Sequence, residues 1–130
     1  MNKAEVEKKA KTIQPEDAGK VVKKKREVRR KASRGPLKKL MSDIMLMVAL
    51  IIDYWWGRYV RTPWWTISAI LVALLWVLNP LDLVPDAIPF LGLLDDAAVV
   101  TVVMAMTEQD LADYKAWKQA RRTERRRRKR

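Results

Sequence analysis

Apolar and polar positions divide this chain into unlike stretches. From Leu37 to about residue 56 apolar residues recur at helical spacing, and Ile44 to Ile52 is unbroken apolar sequence between Asp43 and Asp53. At ~1.5 Å per residue that run covers about 14 Å, well short of a bilayer core of roughly 30 Å. A second helix is expected over 63–79. Thr62 can cap it, Pro63 suits a first helical position, and no charge interrupts Trp64 to Leu78. A helix apolar nearly all round must be membrane-embedded or wholly buried. A chain of 130 residues is not expected to wrap it in a water-facing shell of its own. A third helix is expected over 93–118, apolar and Val-rich as far as Met106, then amphipathic, with Leu111, Tyr114 and Trp117 at intervals of three. The Val-rich run at 99–103 alone would suit a strand. The pattern thus predicts an all-α fold: a helical hairpin with legs at 63–79 and 93–118, preceded by a helix at 37–56.

The turn of that hairpin is the most unusual part of the pattern. Within the apolar centre, Pro80, Pro85, Pro89 and Gly92 interrupt any continuous helix, and Asp82, Asp86, Asp95 and Asp96 place carboxylates at the interruptions. Helix capping is the first explanation. Asn79 and Pro80 resemble a helix entry, and Asp95 and Asp96 would lie in the first turn of the last helix, near its positive dipole end. Convergence of the acids is the second. A carboxylate cluster without His suits a hard cation such as Mg²⁺ or Ca²⁺, or a carboxyl that carries a proton. Pairing with Arg58 and Arg61, the only cations of residues 41–114, is the third.

The segment also carries a likeness. Asn79, Pro80, Asp82, Leu83, Pro85, Asp86, Pro89, Gly92, Asp95 and Asp96 fill every position of a motif close to Ser/Asn-Pro-x-Asp-Leu-x-Pro-Asp-x-x-Pro-x-x-Gly-x-x-Asp-Asp. Asp53-Tyr54 and Thr62-Pro63-Trp64-Trp65 lie upstream of it. In these residues the chain resembles the YkvA-like family, domain of unknown function 1232, over roughly residues 38–117. The resemblance implies a bacterial, helical, membrane-associated protein without an established activity. It does not extend to either basic arm.

Between the two expected central helices lie Tyr54, Trp55, Trp56, Gly57, Arg58, Tyr59, Val60 and Arg61. Aromatic rings with one polar edge favour the membrane–water boundary. Tyr54, Trp55, Trp56, Tyr59, Trp64 and Trp65 are therefore expected at such an interface. A corner in a soluble helical bundle is the alternative.

Charge changes the picture at both ends. Residues 1–40 hold 15 Lys/Arg against 5 Asp/Glu, and residues 115–130 hold 10 against 1. The centre is net acidic, within a chain of net charge +12. Basic arms suit phosphate-bearing partners. Anionic lipid headgroups are the expected target, with Arg125, Arg126, Arg127 and Arg128 as the contacts. Nucleic acid is less favoured, because the arms carry no recognised motif and the aromatics lie elsewhere. A protein partner or a second copy stays open.

The chain has neither Cys nor His, which removes thiol and imidazole chemistry and Cys/His zinc sites. No catalytic residue and no cofactor are expected, the Asp cluster with Mg²⁺ or Ca²⁺ being the one alternative. No secretory leader is expected from the first 40 residues. The expected organisation is a basic arm at 1–36, disordered or a surface helix; a helical membrane domain at 37–117; and an Arg-rich tail at 118–130. By the positive-inside rule both termini belong in the cytoplasm, at the inner bacterial membrane, with the hairpin either crossing twice or entering as a wedge. The expected function is a small non-enzymatic anchor or scaffold at the cytoplasmic face.

Overall fold

A computed structural model describes residues 2–78 and 96–129. Among these residues the protein is all helix: α1 (Lys3–Ala10), α2 (Pro15–Lys23), α3 (Lys25–Ala32), a 3-10 turn (Gly35–Leu40), α4 (Met41–Trp55), α5 (Trp64–Leu78), α6 (Asp96–Met106) and α7 (Glu108–Arg128). No strand occurs among them. The Val-rich run at 99–103 is helical, because Val99, Val100 and Val103 are buried on one side of α6, which packs on α5. Tertiary burial outweighs the β preference of those residues.

Helix α5 is the centre of the molecule. Every residue from Thr66 to Leu74, and again from Trp76 to Leu78, is buried. The wall around it comes from α1, α2, α3, α4 and α6. This differs from the expectation that the chain could not wrap such a helix. The reason lies in the basic N-terminal segment, expected to be disordered or a surface helix over residues 1–36. It forms α1, α2 and α3, and each sends an apolar edge inward: Val6 from α1, Ala18 and Val21 from α2, Val28 and Ala32 from α3. Most of the Lys and Arg residues occupy the opposite faces, so the segment is amphipathic in three short pieces.

Local chemistry explains why the pieces form. Asn2 caps α1 by accepting from the Glu5 amide at 2.9 Å. Pro15 opens α2, and the Asp17 carboxylate accepts from the Gln14 amide at 2.8 Å. Lys31, half-buried on α3, donates to the carbonyl oxygen of Leu78, placing a cation at the last described turn of α5.

The helix expected at 37–56 is present as the 3-10 turn followed by α4. The legs of the expected hairpin correspond to α5 and to α6 with α7, divided at Thr107. Its turn, 80–92, lies outside the described residues. No described helix is long and apolar enough to cross a membrane. The expected tail at 118–130 is helical as far as Arg128, with acids in the first turn of α7 and arginines in its last.

Candidate functional site

Two features meet at the end of the molecule where α4 gives way to α5. One is a polar cluster centred on Asp53, and the other is a group of exposed tryptophans.

The cluster begins with the way α4 ends. Gly57 adopts φ 73°, the left-handed conformation, just past the helix. Its amide donates to the Tyr54 carbonyl at 3.1 Å, and the Arg58 amide donates to the Asp53 carbonyl at 2.8 Å. This is the Schellman arrangement, which folds the chain back over the last helical turn. It brings the Arg58 side chain onto Asp53, where Nε donates to Oδ1 at 2.7 Å. From α7, the Tyr114 hydroxyl donates to Oδ2 at 2.5 Å. Lys118, one turn further on, reaches that hydroxyl at 3.5 Å. Tyr59 and Trp117 close the cluster: their rings lie 4.9 Å apart, and Tyr59 meets Tyr114 edge-on at 5.1 Å.

Asp53 is only 9 % exposed. Burial pushes its carboxyl up, but hydrogen bonds from Tyr114 and Arg58, with the charges of Arg58 and Lys118, outweigh this and hold it below the usual carboxylate range. Burial pushes the Tyr114 hydroxyl well up, and the bond to the Asp53 anion adds to that. Tyr59 is also raised, first by burial and then by Asp113. At neutral pH the cluster is therefore a carboxylate held by two donors.

Gly57 offers a direct test of the turn. A Cβ there would meet no atom within 4 Å, so Gly57→Ala acts through backbone conformation alone. A loss of about 1 kcal/mol is expected in denaturant unfolding, with no change in compactness.

The tryptophans stand beside this turn. Trp55, Trp56, Trp64 and Trp65 are all exposed, Trp56 at 63 % and Trp65 at 55 %, and Val60 joins them at 64 %. Lys11 lies with Trp64 and Trp65 along an open cavity of about 510 Å³. Of the six aromatics expected at an interface, these four are presented outward. Tyr54 is half-buried, with its ring 6.5 Å from that of Trp64. Tyr59 is the correction: it is buried at 4 %, because the Schellman turn directs it under α7, between Tyr114 and Trp117. Thr62 also departs from expectation. Its buried hydroxyl has no hydrogen-bond partner among the described residues, and the Thr66 and Ile67 amides donate to the Pro63 carbonyl.

The motif residues Asn79, Pro80, Asp82, Leu83, Pro85, Asp86, Pro89, Gly92 and Asp95 lie outside the described residues, and Asp96 is the first residue of α6. Among the described residues no group of three or more acids could hold a metal ion. Arg58 is engaged by Asp53, while Arg61 lies over the Tyr59 ring at 5.9 Å. Arg125 to Arg128 occupy the exposed last turn of α7. The sequence reading missed Asp53 and Tyr114 as partners, which lie 61 positions apart. One signal was available: an Asp closing an apolar run, followed at four and five positions by Gly and Arg, is the pattern of a Schellman turn with an ion pair across it.

Residues 66–102 match the model of a family described as a protein of unknown function, DUF1232. The chain is also 32% identical, over 81 residues, to the uncharacterized membrane protein YkvA of Bacillus subtilis (strain 168), an alignment covering 62% of this chain and 76% of that protein. No solved structure matches.

Proposed function

The chain belongs to the YkvA-like, DUF1232 family of membrane proteins, and from that premise we propose that it is a non-enzymatic anchor at the cytoplasmic face of the bacterial inner membrane. The observation that carries this reading is the exposed patch of Trp55, Trp56, Val60, Trp64 and Trp65. A patch of this kind, with cations at its rim, suits the headgroup boundary, where each indole buries its apolar body and keeps its N–H wet. The basic outer faces of α1 to α3 and the end of α7 add attraction to anionic lipid. Both termini then stay on the cytoplasmic side, and the described helices need not cross. The basic faces could also bind nucleic acid, but that would leave the tryptophans idle.

Vesicle flotation tests the reading. Trp56 and Trp65 are the most exposed of the four tryptophans, so replacing them leaves the core intact. Each would remove on the order of 100 Å² of apolar surface from the lipid. Trp56→Ala with Trp65→Ala is expected to weaken binding to phosphatidylglycerol-containing vesicles by about a hundredfold or more, with thermal stability unchanged. Equal binding by this double variant and the parent chain would reject the reading. So would complete release of the parent from vesicles by high salt alone.

A further inference from the structure

We propose that the cleft between the end of α4 and the second half of α7 is a binding site for a phosphate group. The cleft has a volume of about 370 Å³, with Asp53 and Arg58 on one side and Trp117, Lys118, Arg121, Arg122 and Arg125 on the other.

Three observations carry the assignment. The first is the register of α7. Tyr114, Trp117, Lys118, Arg121, Arg122 and Arg125 follow a spacing of three and four, so they form one stripe along the helix. Its upper part, Tyr114 and Trp117, covers the body of the protein. Its lower part continues on the same face as cations, where an ordinary core-facing stripe would stay apolar.

The second is charge. Asp53 is the only carboxylate among the described residues lining the cleft, and both its oxygens are already taken, Oδ1 by Arg58 and Oδ2 by Tyr114. Arg58 and, in part, Lys118 already answer the Asp53 charge, and among the described residues lining the cleft no acid is left to neutralise Arg121, Arg122 and Arg125. Glu124, the nearest acid in sequence, is paired with Arg128 at 3.0 Å.

The third is preorganisation. The Arg121 guanidinium lies over the Trp117 ring at 4.7 Å, which holds its plane, and none of the described residues takes a hydrogen bond from its N–H edge. Arg58 is held through Nε by Asp53, so its fork is also positioned. Two fixed guanidinium forks facing one space are the usual means of holding a tetrahedral oxyanion through paired N–H donors. The volume exceeds that of phosphate alone and leaves room for an attached alcohol such as glycerol. A lipid headgroup and a free phosphate ester share this chemistry.

The proposal stands on the cleft alone and not on the tryptophan patch, so it can fail or succeed independently of the anchoring reading. The test is calorimetric titration of the full chain with inorganic phosphate and with glycerol 3-phosphate at constant ionic strength. The site variant is Arg121→Gln with Arg125→Gln. The control, Arg26→Gln with Arg29→Gln, removes the same charge from the exposed face of α3. Saturable binding is expected, weakened at least about tenfold in the site variant and less than about twofold in the control. Arg125→Gln alone, at an exposed position outside the buried core, is expected to weaken binding about threefold or more. No saturable binding, or equal weakening in site and control variants, overturns the proposal. Vesicles containing phosphatidylglycerol then identify the source. Greater loss of vesicle binding in the site variant than in the control assigns a lipid headgroup. Equal loss on vesicles, with discrimination kept for glycerol 3-phosphate, assigns a soluble ester.

Discussion

Val28→Asp is expected to abolish the cooperative fold, although it adds one charge to a segment already crowded with charges. Val28 is fully buried on α3, which packs against both α4 and α5. A carboxylate placed there has no cation within the core to meet it. Burying a charge without a partner costs several kcal/mol, which is the scale of a small domain's whole stability. The neighbours provide the contrast. Arg26 and Arg29 are exposed on the same helix, so Arg26→Asp and Arg29→Asp should each change stability by less than about 1 kcal/mol. Circular dichroism with thermal melting reads both effects. Removal of residues 1–33 extends the argument, because it uncovers α5 and should give an aggregating chain without a thermal transition. A melting temperature unmoved by Val28→Asp or by this deletion would mean that the basic segment does not form the wall of α5.

That expectation marks where the sequence was legible and where it was not. The apolar runs at 44–52 and 64–78 announced α4 and α5, because periodicity and an absence of charge need no tertiary information. The role of residues 3–32 was hidden because charge dominates composition there: α3 reads Lys-Arg-Glu-Val-Arg-Arg-Lys-Ala, with two apolar residues in eight. Val28 and Ala32 are four apart, and Ala18 and Val21 three apart, so the inward edge was present as spacing. A short helix needs only such an edge when a wholly apolar helix is waiting to be covered. The same point corrects the reading of α5, whose uniform apolarity reports burial on every side by α1 to α4 and α6. Tyr59 was misplaced for a related reason. Its neighbours Trp56 and Val60 face outward, and only the reversal at Gly57 turns Tyr59 inward. The aromatic corner was legible as a group, whereas the side each ring faces depends on a backbone turn and on a helix some fifty residues later in the chain.

Replacing Asp53 is expected to give the largest loss of any single polar substitution among the described residues. Asp53→Ala leaves the buried Tyr114 hydroxyl without its acceptor and Arg58 without its partner. An orphaned buried donor costs about 1–3 kcal/mol, and removing one side of a partly buried ion pair adds to it, so a loss of about 2–4 kcal/mol is expected in chemical denaturation. Tyr114→Phe should cost less, about 1 kcal/mol, because Asp53 keeps Arg58. The double variant should then fall short of the sum of the two, since each single change already breaks the same bond. Acid provides an independent readout. The Asp53 carboxyl is held below its ordinary value in the folded protein, so on acidification the unfolded chain takes up the proton first. The stabilisation is thus complete above the unfolded value near pH 4 and is lost as pH falls through the lower folded value. Asp53→Ala should flatten that part of the stability profile. Tyr114 works in the opposite sense, because its hydroxyl is raised in the folded protein. Its contribution is present below about pH 10 and lost above it, and Tyr114→Phe should reduce the alkaline fall, leaving the part that the raised Tyr59 hydroxyl supplies. A cost of less than about 0.5 kcal/mol for Asp53→Ala, with an unchanged acid limb, would show that the carboxylate does not join α4 to α7. The phosphate cleft would then lose its positioned Arg58 as well, because the ion pair to Asp53 is what fixes that guanidinium at the edge of the stripe.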